Sequence, residues 1–263
     1  MESKVKLEIS DKVAKIVLND TENYNPLNQE MAKELLEVLE QLRNKEEVRC
    51  LMITGSGKAF SAGGDIKAFK DSIEIGKPGE IMDDLLKNLY KIALILRQYP
   101  KPVIAAVNGW AVGAGMNLAL SCDLIIASNR AKFRQSFSKL ALIPGFAGTI
   151  LLSRQLTWQQ ATQMAFLGDT YTAEDMLRLG LVNEVVDPER LIERANEMAS
   201  KLASGPTLTF ARTKKLFFDA LSGSLIDHLE NERQMQIKSA ETQDFKIGVF
   251  AINDKKEPEF IGK

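Results

Sequence analysis

Two short segments of this 263-residue chain place small residues next to the start of a helix, a pattern that lets a backbone meet a ligand. The first is Phe60-Ser61-Ala62-Gly63-Gly64-Asp65-Ile66, and the second is Asn108-Gly109-Trp110-Ala111-Val112-Gly113-Ala114-Gly115-Met116-Asn117. Glycine permits close approach, and the first N–H groups of a helix lack internal partners and favour negative charge. Two such turns converging on one point would form an oxyanion hole, which stabilises an enolate or a tetrahedral oxyanion. Either turn alone also fits a plain tight connection from strand to helix. Phosphate-loop readings fail: G-x-G-x-x-G starting at Gly113 meets Leu118 where the third glycine belongs, and no G-x-x-x-x-G-K-[ST] occurs.

The other reactive residue types say less. Cys50 and Cys122 sit in the apolar runs VRCLMIT and LALSCDLIIA, without metal-ligand spacing. They read as a reduced, buried pair, and no metal site is expected. The single histidine, His228, falls in a late helical segment and reads as structural.

The elements that must position the two turns follow from periodicity. Residues 4–19 alternate as a β-hairpin around Asp11-Lys12, and Leu27, Met31, Leu35, Leu36, Leu39 and Leu42 mark an amphipathic helix over 27–46. A buried strand over 49–54 ends at Gly55-Ser56-Gly57 and leads towards the first turn. A helix over 79–98 must stop at Tyr99, because Pro100 disfavours helical geometry in its predecessor. The second turn continues from an apolar strand over 102–108, and LIIAS (124–128) adds another. Short strands with helical crossovers predict an α/β class with parallel pairing. After about residue 187 the pattern becomes helical, over 189–204, 206–221, 224–239 and 242–253. This divides the chain into an α/β core (1–205) and a helical C-terminal region (206–263).

The composition is that of an average globular protein: 45% hydrophobic, 26% charged, net charge −1. Interspersed charges exclude the concentrated basic face that nucleic acid needs, so no nucleic-acid partner is expected. The most apolar stretch, near 118–127, is broken by Asp123 and falls short of a bilayer span. No membrane contact is expected, and with no secretory signal visible the chain reads as cytoplasmic.

The motifs KAFSAGGDI (58–66), KPVIAAVNG (101–109), Gly113-Ala114-Gly115, CDLIIA (122–127), Leu142-Ile143-Pro144 with Gly148-Thr149, GLVN (180–183) and the ending PEFIGK occur in this order. Together they resemble the crotonase (enoyl-CoA hydratase/isomerase) superfamily over nearly the whole chain. The resemblance implies a spiral of ββα units, a C-terminal trimerisation region, and a homotrimer or a pair of trimers. It implies an acyl-CoA thioester as ligand, coenzyme A being part of the substrate and no separate cofactor. Its oxygen would lie on the N–H groups of Gly64 and Ala114. Coenzyme A would run along Ala62, Gly63, Asp65 and Ile66, and the acyl group against Phe137 and Gly145.

The same resemblance exposes what is missing. Family hydratases carry glutamates at the positions of Asn117 and Phe137, and some isomerases carry an acid at the position of Gly145. Without those carboxylates, proton transfer falls to Asn117, a bound water, or Asp71, Glu74 or Glu80 of the intervening segment. Asn117 cannot be a general base at neutral pH, but it can orient a water or satisfy a neighbouring backbone group. Gln135, Ser136 and Ser138 are the other polar residues expected nearby. Asp65 reads as a helix cap and Asp123 as a turn or buried hydrogen-bonding residue. Lys214, Lys215 and Arg233 could meet coenzyme A phosphates or lie on solvated faces. An acyl-CoA-binding scaffold that has lost proton-transfer chemistry is the competing reading.

Overall fold

The computed structural model describes residues 2–263. The chain opens with the antiparallel hairpin β1 (Val5–Ser10) and β2 (Val13–Leu18), turned at Asp11 and Lys12, both at positive φ. Helix α1 (Gln29–Arg43) is two residues shorter at its start than the apolar spacing predicts. Asn28 terminates it by accepting a hydrogen bond from Met31 N–H.

Three consecutive units then repeat one idea. A long buried strand ends in a tight turn, a three-residue strand peels off onto a second sheet, and helix follows. The first unit is β3 (Cys50–Gly55), β4 (Ala59–Ser61), α2 (Ile66–Glu74) and α3 (Pro78–Arg97). The next is β5 (Val103–Val107), β6 (Trp110–Val112) and α4 (Ala114–Ser121). The third is β7 (Leu124–Ser128), β8 (Lys132–Arg134), α5 (Gly148–Gln155) and α6 (Trp158–Leu167). They are followed by β9 (Thr170–Thr172), α7 (Ala173–Arg178) and β10 (Glu184–Val186). The larger sheet has the order β1-β2-β3-β5-β7-β10 and the smaller β4-β6-β8-β9, parallel except at the β1/β2 and β8/β9 edges. This is the spiral of ββα units that the resemblance implies.

The central strands are buried on both faces, which explains their uninterrupted apolar runs. Side chains alternate: Leu51, Ile53, Val103 and Ala105 face a core closed by α1 and α3. Cys50, Met52, Ile104 and Ala106 face the opposite layer, closed by Ala195, Ala199 and Ala203 of α8 (Leu191–Ala203). Both cysteines are free and buried, and burial pushes the Cys50 thiol up to about 12 and the Cys122 thiol further. They are inert in this setting. Helices α9 (Thr207–Asp219), α10 (Leu225–Ala240) and α11 (Gln243–Asn253) bury only Thr207 and Asp244 among their residues. They present Phe217, Ile226, Phe250 and Ile252 to the outside.

Candidate active site

The smaller sheet brings the two glycine-rich turns together. β4 and β6 pair in parallel, with Ser61 opposite Ala111, so the residues that follow each strand emerge side by side. The fit is close enough to dictate glycine. Gly63 has φ +81°, and a Cβ there would lie 2.3 Å from Val112 O and 3.2 Å from Ala114 N. On Gly115 it would lie 2.4 Å from Ser61 O. The buried Asn25 anchors the first turn from beneath. Its Nδ2 donates to Ala59 O (2.8 Å) and Ser56 O (3.0 Å), while its Oδ1 accepts from Asp20 N–H. Leu27 N–H donates to Gly63 O at 2.7 Å, fixing the peptide that precedes Gly64.

This arrangement leaves two donors unused. Ala114 is the first residue of α4, whose start carries no side-chain cap, and its N–H has no acceptor among the described residues. The Gly64 N–H likewise has none. Both residues line one cavity of about 180 Å³, together with Ala62, Ile66, Phe137 and Gly145. Further walls come from Phe69 of α2, from Met82, Leu85, Leu86 and Leu89 of α3, and from Phe146. Larger cavities lie beneath α3 and α5 (about 400 Å³) and beside the C-terminus (about 600 Å³), but neither touches the two turns.

No titratable side chain lines the 180 Å³ cavity; its only polar side chain is Ser136. Glu74 and Glu80 pair with Lys70 and Lys77 at the surface, and Asp71 is exposed. Asp65 is spent on capping α2, its Oδ1 accepting from Ala68 N–H at 3.1 Å. Asp123 is exposed in the bend before β7, which fits a turn residue and not a buried one, and it accepts from Val103 N–H and from Lys214, 2.7 Å away. Burial lowers the Lys214 pKa against the opposing pull of Asp123. Lys215 and Arg233 pair with Asp219 and Glu230.

Asn117 does not line the cavity. It is fully buried, its Nδ2 donates to Gly145 O at 2.7 Å, and its Oδ1 accepts from Gln135 Nε2. Space for it is made at Gly148, where a Cβ would lie 2.2 Å from Asn117 Nδ2. The amide therefore pins the Gly145 peptide just before the left-handed pair Phe146 (φ 52°) and Ala147 (φ 57°), which turns the Phe146 ring into the wall. Of the two roles open to Asn117 in the sequence, the geometry supports satisfying a neighbouring backbone group. Asn117→Ala strands Gly145 O and Gln135 Nε2, and is expected to cost about 2–4 kcal/mol in urea unfolding. A loss under about 0.5 kcal/mol would contradict this role.

The walls supplied by α2 and α3 escaped the sequence reading. Their apolar spacing announces a buried face, but whether that face meets core or cavity depends on how the helices dock. Asn25 carried one faint signal, an asparagine before proline in a polar stretch.

Comparison with known proteins identifies the family. The family described as enoyl-CoA hydratase/isomerase matches residues 8–263. A 1,2-epoxyphenylacetyl-CoA isomerase of Escherichia coli (strain K12) is 37% identical over 95% of each chain. A short-chain-enoyl-CoA hydratase of Clostridium acetobutylicum is 35% identical, over 96% of this chain and 95% of that one. Among solved structures, an enoyl-CoA hydratase from Polaromonas sp. JS666 superposes with a TM-score of 0.92 at 31% identity, covering 97% of this chain and 98% of the other. In sequence over nearly its whole length and in fold, the chain belongs to the enoyl-CoA hydratase/isomerase family.

Proposed function

We propose that this protein binds an acyl-CoA thioester, holds the thioester oxygen between the N–H groups of Gly64 and Ala114, and acts on it through an enolate. The observation that carries this reading is the pair of unused donors on residues that line one apolar cavity. A thioester carbonyl is a neutral acceptor that becomes an oxyanion in the reaction, so fixed donors favour the transition state over the ground state. The acyl chain then lies against Phe69, Phe137 and the α3 leucines. Coenzyme A leaves past Ala62 and Ile66, the latter being 57% exposed at the cavity rim.

With no carboxylate on the lining, the proton must travel by a water or by the substrate's own groups. Asn117 contributes by holding Gly145 in place. The experiment is to mix the protein with crotonyl-CoA and with 3-hexenoyl-CoA, following absorbance of the conjugated thioester and binding by calorimetry. Binding of both with turnover of at least one is expected. Binding without turnover would favour the scaffold reading, to which the uncharged lining also lends support. Absence of binding would contradict both.

The exposed apolar residues of α9–α11 support assembly through the C-terminal region into a trimer or a pair of trimers. Sedimentation velocity is expected to give three or six times the mass of the chain; a monomer would contradict this.

A further inference from the structure

We infer that Ser136 sets substrate specificity, by hydrogen bonding to an oxygen carried on the acyl group at C2 or C3. This rests on the thioester-binding reading above. Ser136 follows β8 and begins the single turn at Phe137–Leu140, yet its side chain caps nothing there. Among the described residues its hydroxyl has no hydrogen-bond partner, and it is the only polar side chain on a lining otherwise made of hydrocarbon and backbone.

Its place relative to the donors is fixed. The Oγ lies 3.5 Å from where a Cβ on Gly113 would stand, at the residue that precedes the Ala114 donor. Gly113 is tied to the same strand end, its N–H donating to Arg134 O at 2.8 Å. A thioester oxygen held at Ala114 therefore puts the first carbons of the acyl chain, rather than its far end, beside Ser136.

The chemistry open to this hydroxyl is narrow. Nucleophilic attack by serine needs an adjacent base, and no histidine, lysine or carboxylate lines the cavity. What it can do is donate or accept one hydrogen bond. A plain alkyl chain would cover the hydroxyl and strip its water without replacing the hydrogen bond, whereas a hydroxyl, oxo or epoxide oxygen would restore it. The site thereby selects for oxygenated acyl groups and against bare ones of the same length. The selection works as much by penalising the wrong ligand as by attracting the right one.

The test compares calorimetric affinities of hexanoyl-CoA with those of 2-hydroxy- and 3-hydroxyhexanoyl-CoA, on wild-type protein, Ser136→Ala and Ser136→Thr. Wild-type protein is expected to favour one hydroxylated ester over hexanoyl-CoA by roughly ten-fold. Ser136→Ala should remove that preference, partly by binding hexanoyl-CoA more tightly, and Ser136→Thr should keep it. Tighter binding of the bare ester is a change that mere loosening of the fold would not produce. Equal affinities on wild-type protein, or a preference that survives Ser136→Ala, would overturn the inference and leave the thioester-binding reading intact. Failure of every ester to bind would overturn both.

Discussion

Ala114→Pro is expected to slow the reaction at the thioester by roughly 10²–10³-fold while leaving the fold in place. Proline deletes one N–H, and at the first position of a helix that N–H has no partner inside the helix. The usual obstacle is the preceding residue, which proline confines to extended geometry through its Cβ and N–H. Here that residue is Gly113, without a Cβ, at φ 52° and ψ −117°, the mirror image of an extended conformation. The ring also occupies the space into which the N–H points, so the ligand oxygen loses both its donor and its seat. Exchange of the α-protons of bound acyl-CoA into deuterated solvent, followed by NMR beside urea unfolding, separates the two effects. Exchange at the wild-type rate in a folded Ala114→Pro protein would mean that Ala114 holds nothing that matters to the chemistry.

The second large effect is a gain. Gly145→Asp should increase conversion of 3-hexenoyl-CoA to its conjugated isomer by about 10²-fold or more over the wild-type rate, by placing a base where the cavity has none. The site can take the side chain. The nearest atoms to a Cβ on Gly145 would be Phe137 Cε1 and Cζ at 3.5 and 3.8 Å and Leu86 Cδ2 at 3.9 Å, which is ordinary contact, and Gly145 is not among the positive-φ glycines. Its carbonyl stays anchored by Asn117 Nδ2, so the new carboxylate enters on a fixed backbone. In apolar surroundings without a cation on the lining, desolvation raises its pKa and strengthens it as a base near neutral pH. Neighbouring glycines offer no such opening: on Gly148 or Gly115 the added atom would lie 2.2 Å from Asn117 Nδ2 or 2.4 Å from Ser61 O. A folded Gly145→Asp protein that binds the ester yet gains no isomerase activity would show that this position does not face the reacting carbons.

Much of the scaffold was legible because periodicity survives in long elements. The hairpin, the buried strands Cys50–Gly55, Val103–Val107 and Leu124–Ser128, and all four C-terminal helices lie within a few residues of where apolar spacing puts them. The second sheet was invisible for the opposite reason. Its strands are three residues each, too short for an alternation to be read, and they owe their conformation to pairing between distant segments. That sheet is what turns two ordinary glycine-rich turns into one site. The glycine pattern and the family resemblance together made the convergence an expectation; the pairing of Ser61 with Ala111, and the seat of Gly63 against Val112 O, bring the two turns side by side.

Asn117 illustrates where sequence reasoning stops. Its position one helical turn into α4 is compatible with facing a ligand or the protein, and spacing cannot choose between them. The choice is made by Gly145 O and Gln135 Nε2, which lie 28 and 18 residues away in the chain. The uncharged character of the cavity could be foreseen from Asn117, Phe137 and Gly145, whereas its ceiling from α3 could not. Ser136 stood in the sequence among several polar residues near the site. Only its lack of any partner on an apolar wall distinguishes it from Gln135, which bonds Asn117, and from Ser138, which does not line the cavity.

The most direct measurement is a crystal structure with a non-hydrolysable acyl-CoA analogue that keeps the carbonyl. The carbonyl oxygen should lie about 2.7–3.1 Å from both Gly64 N and Ala114 N, with the acyl chain between Phe137 and the leucines of α3. An oxygen more than about 3.5 Å from either nitrogen, or an acyl group seated in one of the larger cavities, would contradict the assignment of the two turns as the thioester site.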